Sequence, residues 1–179
     1  LVFENLLAEL DPNLEESMKK SIRKLTGSYY TPRKVINEMV NESLYLYLSK
    51  YVEENSSDIE NFRKLLQQLI YYNIPFKGNQ ALCKIVVEAL DKYRILDPAC
   101  GSGAFPMGML HRMVEILKQV DDSNGLWIEL KLKSVDPAQR TEFKQILRQH
   151  LDDYGRKLGI IRDSIYGIDI QPLAVQITK

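Results

Sequence analysis

The sequence predicts an α/β protein that combines a large helical N-terminal part with the beginning of a doubly wound parallel sheet. Three observations support this prediction. Apolar residues recur with the helical period over most of the first 92 residues. Two short apolar runs, residues 93–97 and 164–170, are typical of buried strands. Each run is followed by a turn and then by a helical pattern, which indicates a strand–helix–strand–helix unit.

The first predicted part, residues 1–92, is helical. Asp11-Pro12-Asn13 separates its first two helices, and Pro32 is placed just inside the third, where its missing N–H costs nothing. A polar stretch, residues 53–57, is predicted to be a loop. The predicted helices span residues 3–10, 14–25, 32 to about 49, 58–71 and 79–92.

The second predicted part, residues 93–179, begins the sheet. Its strands are followed by helices at residues 104–120 and from Pro172 onward. Between them lies a helical insert, residues 121–162, with a turn at 121–125 and helices at 126–134 and 137–158. Two strands cannot make a stable parallel sheet with both faces covered. We therefore expect an incomplete sheet, which either the helical part covers or further strands beyond residue 179 complete.

The composition is that of an ordinary globular protein, with 45% hydrophobic and 27% charged residues and a net charge of zero. No apolar run approaches the roughly 20 residues of a membrane span, and no signal peptide is visible.

Cys83 and Cys100 are too few for a disulfide scaffold, so we expect a reducing cytoplasm. His111 and His150 lack further ligands at metal-site spacing, so no metal is predicted. Because the chain begins with Leu1 and not Met, we expect a piece of a longer protein.

The most informative stretch is the loop between the first strand and its helix, Asp97-Pro98-Ala99-Cys100-Gly101-Ser102-Gly103-Ala104-Phe105-Pro106. Its glycines allow a sharp turn and a close approach to a ligand, and the helix that follows directs N–H groups at an anionic group. Pro106 stands where the dinucleotide fingerprint needs glycine, and the phosphate-loop pattern is absent. A small carboxylate, such as the methionine end of S-adenosylmethionine, fits so short a loop. Asp97 suits the ammonium of that ligand and would repel phosphates.

A second acid, Asp169, lies at the end of the second predicted strand. A carboxylate there accepts hydrogen bonds from the ribose hydroxyls of an adenosine. It usually lies about 20 residues after the glycine loop, but here about 65 residues separate it from Gly103. A strand-to-helix turn without a ligand remains the alternative for the loop.

Three segments together resemble motifs of N6-adenine-specific DNA methyltransferases, and they occur in that family's order. Residues 97–105 resemble the first motif, and Gly27-Ser28-Tyr29-Tyr30-Thr31-Pro32 resembles the motif that precedes it. Tyr166-Gly167-Ile168-Asp169-Ile170-Gln171-Pro172-Leu173-Ala174 resembles the second motif. The long charged insert resembles that of type IIG restriction–modification enzymes and related phage-defence methyltransferases. The resemblance implies an incomplete Rossmann-like sheet of the class I methyltransferase kind.

The resemblance also implies a set of residues that bind S-adenosylmethionine. Tyr30, Thr31 and Pro32 would line the methionine end. The loop from Asp97 to Gly103, with Pro98, Ala99, Cys100 and Gly101, would hold the ammonium and carboxylate. Phe105 would shape the pocket, Asp169 would bind the ribose, and Ile170 would pack on the adenine.

The same family carries a catalytic Asn/Asp-Pro-Pro-Tyr/Phe motif, and this chain contains no Pro-Pro. No catalytic residue is therefore predicted here. We expect a fragment that is inactive alone, whose full-length parent methylates double-stranded DNA. Two alternatives stay open: a fragment of a nucleotide-binding oxidoreductase with a variant loop, and a non-enzymatic helical interaction module.

Overall fold

The computed structural model describes residues 31–76, 78–133, 135–141, 153–170 and 172–178. The predicted helices at residues 3–10 and 14–25 lie outside these ranges. The elements, in chain order, are α1 (Arg33–Asn55), α2 (Ile59–Tyr72), α3 (Gln80–Lys92), β1 (Ile95–Asp97), α4 (Ala104–Val120), α5 (Gly125–Lys133), α6 (Asp153–Ser164), β2 (Ile165–Gly167) and α7 (Pro172–Thr178).

Helix α1 is the centre of the helical part. Its buried apolar side chains recur every four residues and form one stripe, which consists of Ile36, Val40, Leu44, Leu48 and Val52. The helix packs against α2, α3 and α4. Full burial of an aliphatic side chain contributes roughly 1.5–3 kcal/mol, so this stripe and the faces that meet it hold the four helices together.

Helices α1 and α4 approach each other closely at Gly108. A Cβ atom on Gly108 would lie 2.7 Å from Cγ2 of Ile36, so only glycine fits there. Ile36 donates its N–H to the carbonyl of Pro32 one turn earlier, and Gly108 lies one turn after Ala104. The contact therefore brings the beginning of α1 toward the beginning of α4, where the glycine loop ends.

The side chain of Arg112 on α4 joins three helices. Its guanidinium donates hydrogen bonds to Oδ1 of Asn41 on α1, to the carbonyls of Leu69 and Ile70 in the last turn of α2, and to Oδ1 of Asn73. Asn73 ends α2 in the left-handed conformation, with φ of 55°. A cation at the carboxyl end of a helix is favourable, so Arg112 fixes α2 and α1 relative to the helix that follows the glycine loop.

The two strands pair in parallel, with Ile95 opposite Ile165, Leu96 opposite Tyr166 and Asp97 opposite Gly167. Ile95 and Ile165 are partly buried against the helical core. Leu96 and Tyr166 point to the other face of the sheet, as alternate strand residues do, and remain 59% and 49% exposed. The helical part thus covers one face. The described residues form an α/β arrangement with a two-stranded sheet, and they do not form a complete doubly wound sheet.

The insert is attached to the body through Asp121 and Trp127. The carboxylate of Asp121 accepts the N–H groups of Leu126 (3.1 Å) and Trp127 (2.9 Å) at the start of α5. The buried Arg156 of α6 donates to the carbonyl of Asp121. Trp127 is buried and packs against Gly159, where an added Cβ would lie 3.1 Å from its ring. Helix α6, which leads directly into β2, is therefore held against α5.

The predicted helix at residues 104–120 is confirmed, and α2, α3 and α5 begin and end within one residue of prediction. Two boundaries near α1 were wrong. The stretch 53–57 was predicted to be a loop, but α1 continues to Asn55 because Val52 still contributes to the buried stripe. Pro32 is the N-cap residue of α1 and lies just before the first helical turn, not inside it.

Two predictions in the second part were also wrong. Residues 137–139, predicted to be helical, form a turn in which Asp136 Oδ1 accepts the N–H of Ala138. The strand predicted at 164–170 is confined to Ile165–Gly167, because α6 continues through Ser164. Beyond the strand, the N–H of Ile168 still donates to the carbonyl of Asp97 at 2.9 Å.

Candidate functional site

The loop between β1 and α4 turns through two glycines in the left-handed backbone region. Gly101 has φ of +53° and Gly103 has φ of +84°, conformations that glycine adopts without the steric cost of a Cβ. The N–H of Gly103 donates to the carbonyl of Cys100 at 2.8 Å, which closes the turn. No side chain caps the beginning of α4. Its first N–H groups therefore remain suited to water or to an anionic group of a ligand.

Asp97 ends β1 and begins the loop. One of its oxygens, Oδ1, accepts the N–H of Ala99 at 3.1 Å, a local turn that orients the side chain. The other oxygen, Oδ2, is buried and has no hydrogen-bond partner within the described part of the chain. A buried carboxylate oxygen without a donor is costly, so this position fits a ligand that brings a positively charged donor.

Asp169 meets the same loop from the second strand. Its Oδ2 accepts the N–H of Gly101 at 2.8 Å, across 68 residues of sequence. Asp97 and Asp169, the two acids that the sequence analysis singled out, therefore both accept hydrogen bonds from backbone N–H groups of the same loop. The carboxyl ends of neighbouring parallel strands share an edge, which explains how residues so distant in sequence meet.

Cys100 is the fourth residue of the loop, and it is buried. Its N–H donates to the carbonyl of Ile168 at 3.0 Å. An added Cβ on Gly167 would lie 3.0 Å from its Sγ, so the glycine in β2 makes room for this thiol. Burial, followed by the negative charges of Asp97 and Asp169, raises the pKa of the Cys100 thiol. A thiol held in its protonated form is a packing residue and not a nucleophile.

Thr178, at the end of α7, is part of this site and the sequence did not reveal it. Its Oγ1 donates to the carbonyl of Gly101 (2.7 Å) or to that of Ala174 in its own helix (2.9 Å). Its Cγ2 would lie 3.0 Å from a Cβ on Gly103. A threonine near the end of a short helix carries no local pattern that indicates such a contact.

A cavity of about 260 Å³ lies between α1, the strands and the loop. Its lining includes three of the predicted site residues, Asp97, Pro98 and Phe105, together with Met39 and Ser43 of α1. Small-molecule sites are usually about 300–1,000 Å³, so this cavity can take part of a ligand of that size. Phe105 also packs against the helical core.

A second cavity, of about 390 Å³, lies on the other side of the loop. Cys100, Gly103 and Thr178 line it on the loop side, and residues of α4, α6, β2 and α7 line the rest, among them Leu110 and Ile161. The glycine loop thus separates two cavities. The predicted residues are divided between them.

The other predicted site residues take different positions. Thr31 and Pro32 precede α1, and Tyr30 lies outside the described residues. Ala99 is exposed on the loop. Ile170, expected to pack on an adenine, is 90% exposed just after Asp169. An isoleucine so fully in contact with water is suited to packing against a flat apolar ligand surface.

Some kinds of site have no support in the described residues. Among them, no group of three or more His, Cys, Asp or Glu side chains could hold a metal ion. No helix within the described ranges is long and apolar enough to cross a membrane.

The chain is similar to a protein of Methanocaldococcus jannaschii named "Putative type II restriction enzyme and methyltransferase". The two are 28% identical over 159 residues, which cover 86% of this chain and 11% of the relative. The chain therefore spans about a tenth of that protein's length. No known family model matches the chain, and no solved structure matches it. The similarity supports a relationship to restriction–modification methyltransferases at the level of class.

Proposed function

We propose that this chain is the S-adenosylmethionine-binding part of a DNA adenine-N6 methyltransferase of a restriction–modification or phage-defence system. The observation that carries the proposal is the pair of carboxylates on one glycine loop. Asp97 presents a buried oxygen that has no hydrogen-bond partner among the described residues, and Asp169 contacts Gly101. Two negative charges beside a loop that also offers N–H groups suit a ligand that has both a cationic and an anionic end.

S-adenosylmethionine has such ends, with an ammonium, a sulfonium and a carboxylate in its methionine part. The carboxylate of Asp97, at the start of the glycine loop, would repel the pyrophosphate of a dinucleotide, whereas an acid at the position of Asp169 suits the ribose of either ligand. The structure therefore gives no support to the oxidoreductase alternative, and Pro106 in place of the third fingerprint glycine agrees with this. The non-enzymatic alternative leaves the unpartnered oxygen of Asp97 without an explanation.

In the proposed site each residue has one task. Asp97 accepts from the ammonium, and the N–H groups at the start of α4 face the carboxylate. Asp169 accepts from ribose hydroxyls, and Ile170 packs on the adenine. Tyr30, Thr31 and Pro32 cover the methionine end. When bound, S-adenosylmethionine supplies a methyl group activated by its sulfonium, and the residues of this chain only bind and orient it.

The adenine specificity, the double-stranded DNA partner and the cytoplasmic location are the finer parts of the proposal. The order of the three motifs supports the adenine specificity, and the relative, named as a putative restriction enzyme and methyltransferase, supports DNA as the substrate. The low cysteine count supports the cytoplasmic location. The chain has no Pro-Pro, so we place the target-base motif elsewhere in the parent protein. On this proposal the 179-residue chain alone transfers no methyl group to DNA.

Calorimetry of the full chain with S-adenosylmethionine and with NAD⁺, each up to millimolar concentration, tests the proposal. We expect weak binding of S-adenosylmethionine and none of NAD⁺. Asp97→Asn keeps the shape of the side chain but removes its charge. It should weaken binding about tenfold, since a charge-assisted hydrogen bond is stronger than a neutral one and a difference of about 1.4 kcal/mol is tenfold in affinity. Asp169→Ala should weaken binding by a similar factor. Asp122→Asn, at an exposed acid after α4, is the matched control.

Each alternative function gives a different result. Tight binding of NAD⁺ would establish the oxidoreductase alternative. A folded chain that binds neither ligand would favour the interaction module. If the affinity for S-adenosylmethionine is unchanged in both variants, Asp97 and Asp169 do not contribute to its binding.

A further inference from the structure

Both backbone polar groups of Gly101 are held by residues of the second strand–helix unit. Asp169, just after β2, accepts the N–H of Gly101 at 2.8 Å. Thr178, at the end of α7, donates to the carbonyl of Gly101 at 2.7 Å. The two groups come from opposite ends of one short segment and reach the same loop residue. We name this pair of hydrogen bonds the Gly101 clamp.

Packing contacts do not hold the conformation of Gly101, so these hydrogen bonds are the contacts that can. A Cβ on Gly101 would meet no atom within 4 Å, so packing does not fix its conformation. Glycine also loses more backbone freedom on ordering than any other residue. At Gly103 the methyl group of Thr178 is in close contact with the loop, where an added Cβ would lie 3.0 Å from Cγ2. Thr178 therefore acts on the loop through a hydrogen bond and through packing.

We propose that Thr178 is a positioning residue that closes the Gly101 clamp, and that α7 thereby sets the shape of the loop which receives the cofactor. The part of this inference that concerns the cofactor rests on the proposed function. The part that concerns the loop does not, because the clamp consists of groups within this chain. The hydroxyl has one proton and two acceptors, Gly101 and Ala174, so its donation to the loop is reversible.

The thiol of Cys100 reports on the clamp without any cofactor. It is buried next to Gly101, and replacing Cys83 by Ala leaves it as the single thiol of the chain. In that background Thr178→Val removes the hydroxyl at nearly constant volume. We expect Cys100 to react with iodoacetamide about fivefold faster or more, since the loop opens more often. Thr178→Ser keeps the hydroxyl and should retain most of the protection.

The sign of the pKa effect makes this readout specific. The hydroxyl of Thr178 lowers the pKa of Cys100, although burial and the nearby acids raise it overall. Loss of the hydroxyl therefore raises the pKa of Cys100 and by itself slows alkylation. Faster alkylation would therefore report greater exposure of the thiol and not a change in its pKa. Thr141→Val, the same substitution at an exposed threonine, is the matched control and should change nothing.

Calorimetry with S-adenosylmethionine on the same variants completes the test. We expect Thr178→Val to weaken binding several-fold and Thr178→Ser to bind like the parent chain. Unchanged alkylation of Thr178→Val would overturn the clamp. Faster alkylation with unchanged affinity would overturn its link to the cofactor. Faster alkylation in a chain that binds no S-adenosylmethionine would uphold the clamp and overturn the proposed function instead.

Discussion

Gly101 and Gly103 are both left-handed, but for different reasons. At Gly101 an added Cβ would project into open space, the region that a ligand needs for a close approach. At Gly103 it would press on Thr178 at 3.0 Å. One glycine therefore leaves open the space that the proposed ligand would occupy, and the other makes room for the helix that contacts the loop.

Replacing each glycine by alanine separates these roles. Gly101→Ala should lower the free energy of unfolding by only about 1–2 kcal/mol, the cost of a left-handed alanine. It should nevertheless abolish detectable binding of S-adenosylmethionine in calorimetry, because the methyl group occupies the ligand's space. Gly103→Ala should destabilise more, as it adds a contact with Thr178. Gly78→Ala is the control for backbone strain, since Gly78 has φ of +86° and open space around it. Normal cofactor affinity in Gly101→Ala would contradict the assigned close approach.

The sequence predicted part of the loop geometry at this scale, and the limits of that prediction have a physical cause. Asp97 and Asp169 could be placed together because each follows a predicted strand of one parallel sheet. The hydrogen bond from the Gly101 N–H to Asp169 could not be predicted, because it depends on the exact register of the two strands. Thr178 and Arg112 were missed because their partners are backbone carbonyls or amides far away in sequence, which leave no pattern.

At the scale of elements, Arg112 makes α1, α2 and α4 one body. Its side chain is 11% exposed and donates to four groups outside its own helix, two side-chain amides and two backbone carbonyls. Arg112→Met keeps the aliphatic volume of the side chain but removes its N–H donors. The carbonyls of Leu69 and Ile70 and Oδ1 of Asn41 then lose a hydrogen bond.

We expect Arg112→Met to lower the free energy of unfolding by about 2–3 kcal/mol, since hydrogen bonds of a charged group contribute more than neutral ones. Urea denaturation followed by circular dichroism measures this change. Arg63→Met is the matched control, because Arg63 makes an exposed ion pair with Glu53 and such pairs contribute about 0–1 kcal/mol. Equal effects of the two substitutions would contradict the role of Arg112.

The insert is also joined to the body by charges. Lys131 on α5 lies 2.5 Å from Asp91 of α3 and 3.4 Å from Asp163 of α6. The hydrogen bonds from Arg162, helped by the charge of Lys131, lower the pKa of Asp163 to about 2. The unfolded value is about 3.9. Because the folded pKa is the lower one, the stabilisation is complete above pH 4 to 5 and is lost as the pH falls toward 2.

Asp163→Asn should therefore be less stable than the parent chain at pH 7, and the difference should disappear as the pH approaches 2. Thermal unfolding at a series of pH values measures both curves. Asp122→Asn should run parallel to the parent chain throughout. A stability difference for Asp163→Asn that stays constant from pH 7 to pH 2 would show that the carboxylate is not selectively stabilised.

Sequence patterns located the elements better than their ends. Helix α4 was placed correctly because its apolar period is long and a glycine loop precedes it. The end of α1 was misplaced because polar residues 53–55 read as a loop, whereas the buried Val52 carries the helix through them. The strand at 165–167 was predicted too long because Ile168 and Ile170 continue its apolar pattern, and because nothing in the sequence showed that the preceding helix includes Ser164.

At the scale of the whole molecule, the helical part and the start of the sheet share one hydrophobic core, which runs from Ile36 on α1 to Ile160 on α6. The division into parts 1–92 and 93–179 remains a sequence-based prediction of topology. Leu96 and Tyr166 leave one face of the two-stranded sheet exposed. The chain is similar to about a tenth of a much longer protein that is named a putative restriction enzyme and methyltransferase.

A titration of the ¹⁵N-labelled chain with S-adenosylmethionine, followed by amide chemical shifts, tests the central claim most directly. We predict saturable shifts concentrated in residues 30–31, the loop 97–103, the first turn of α4 and residues 168–170, with no comparable response to NAD⁺. The same shifts should be lost in Asp97→Asn. Amide resonances of the loop that do not move at millimolar S-adenosylmethionine, or that move only with NAD⁺, would contradict the account.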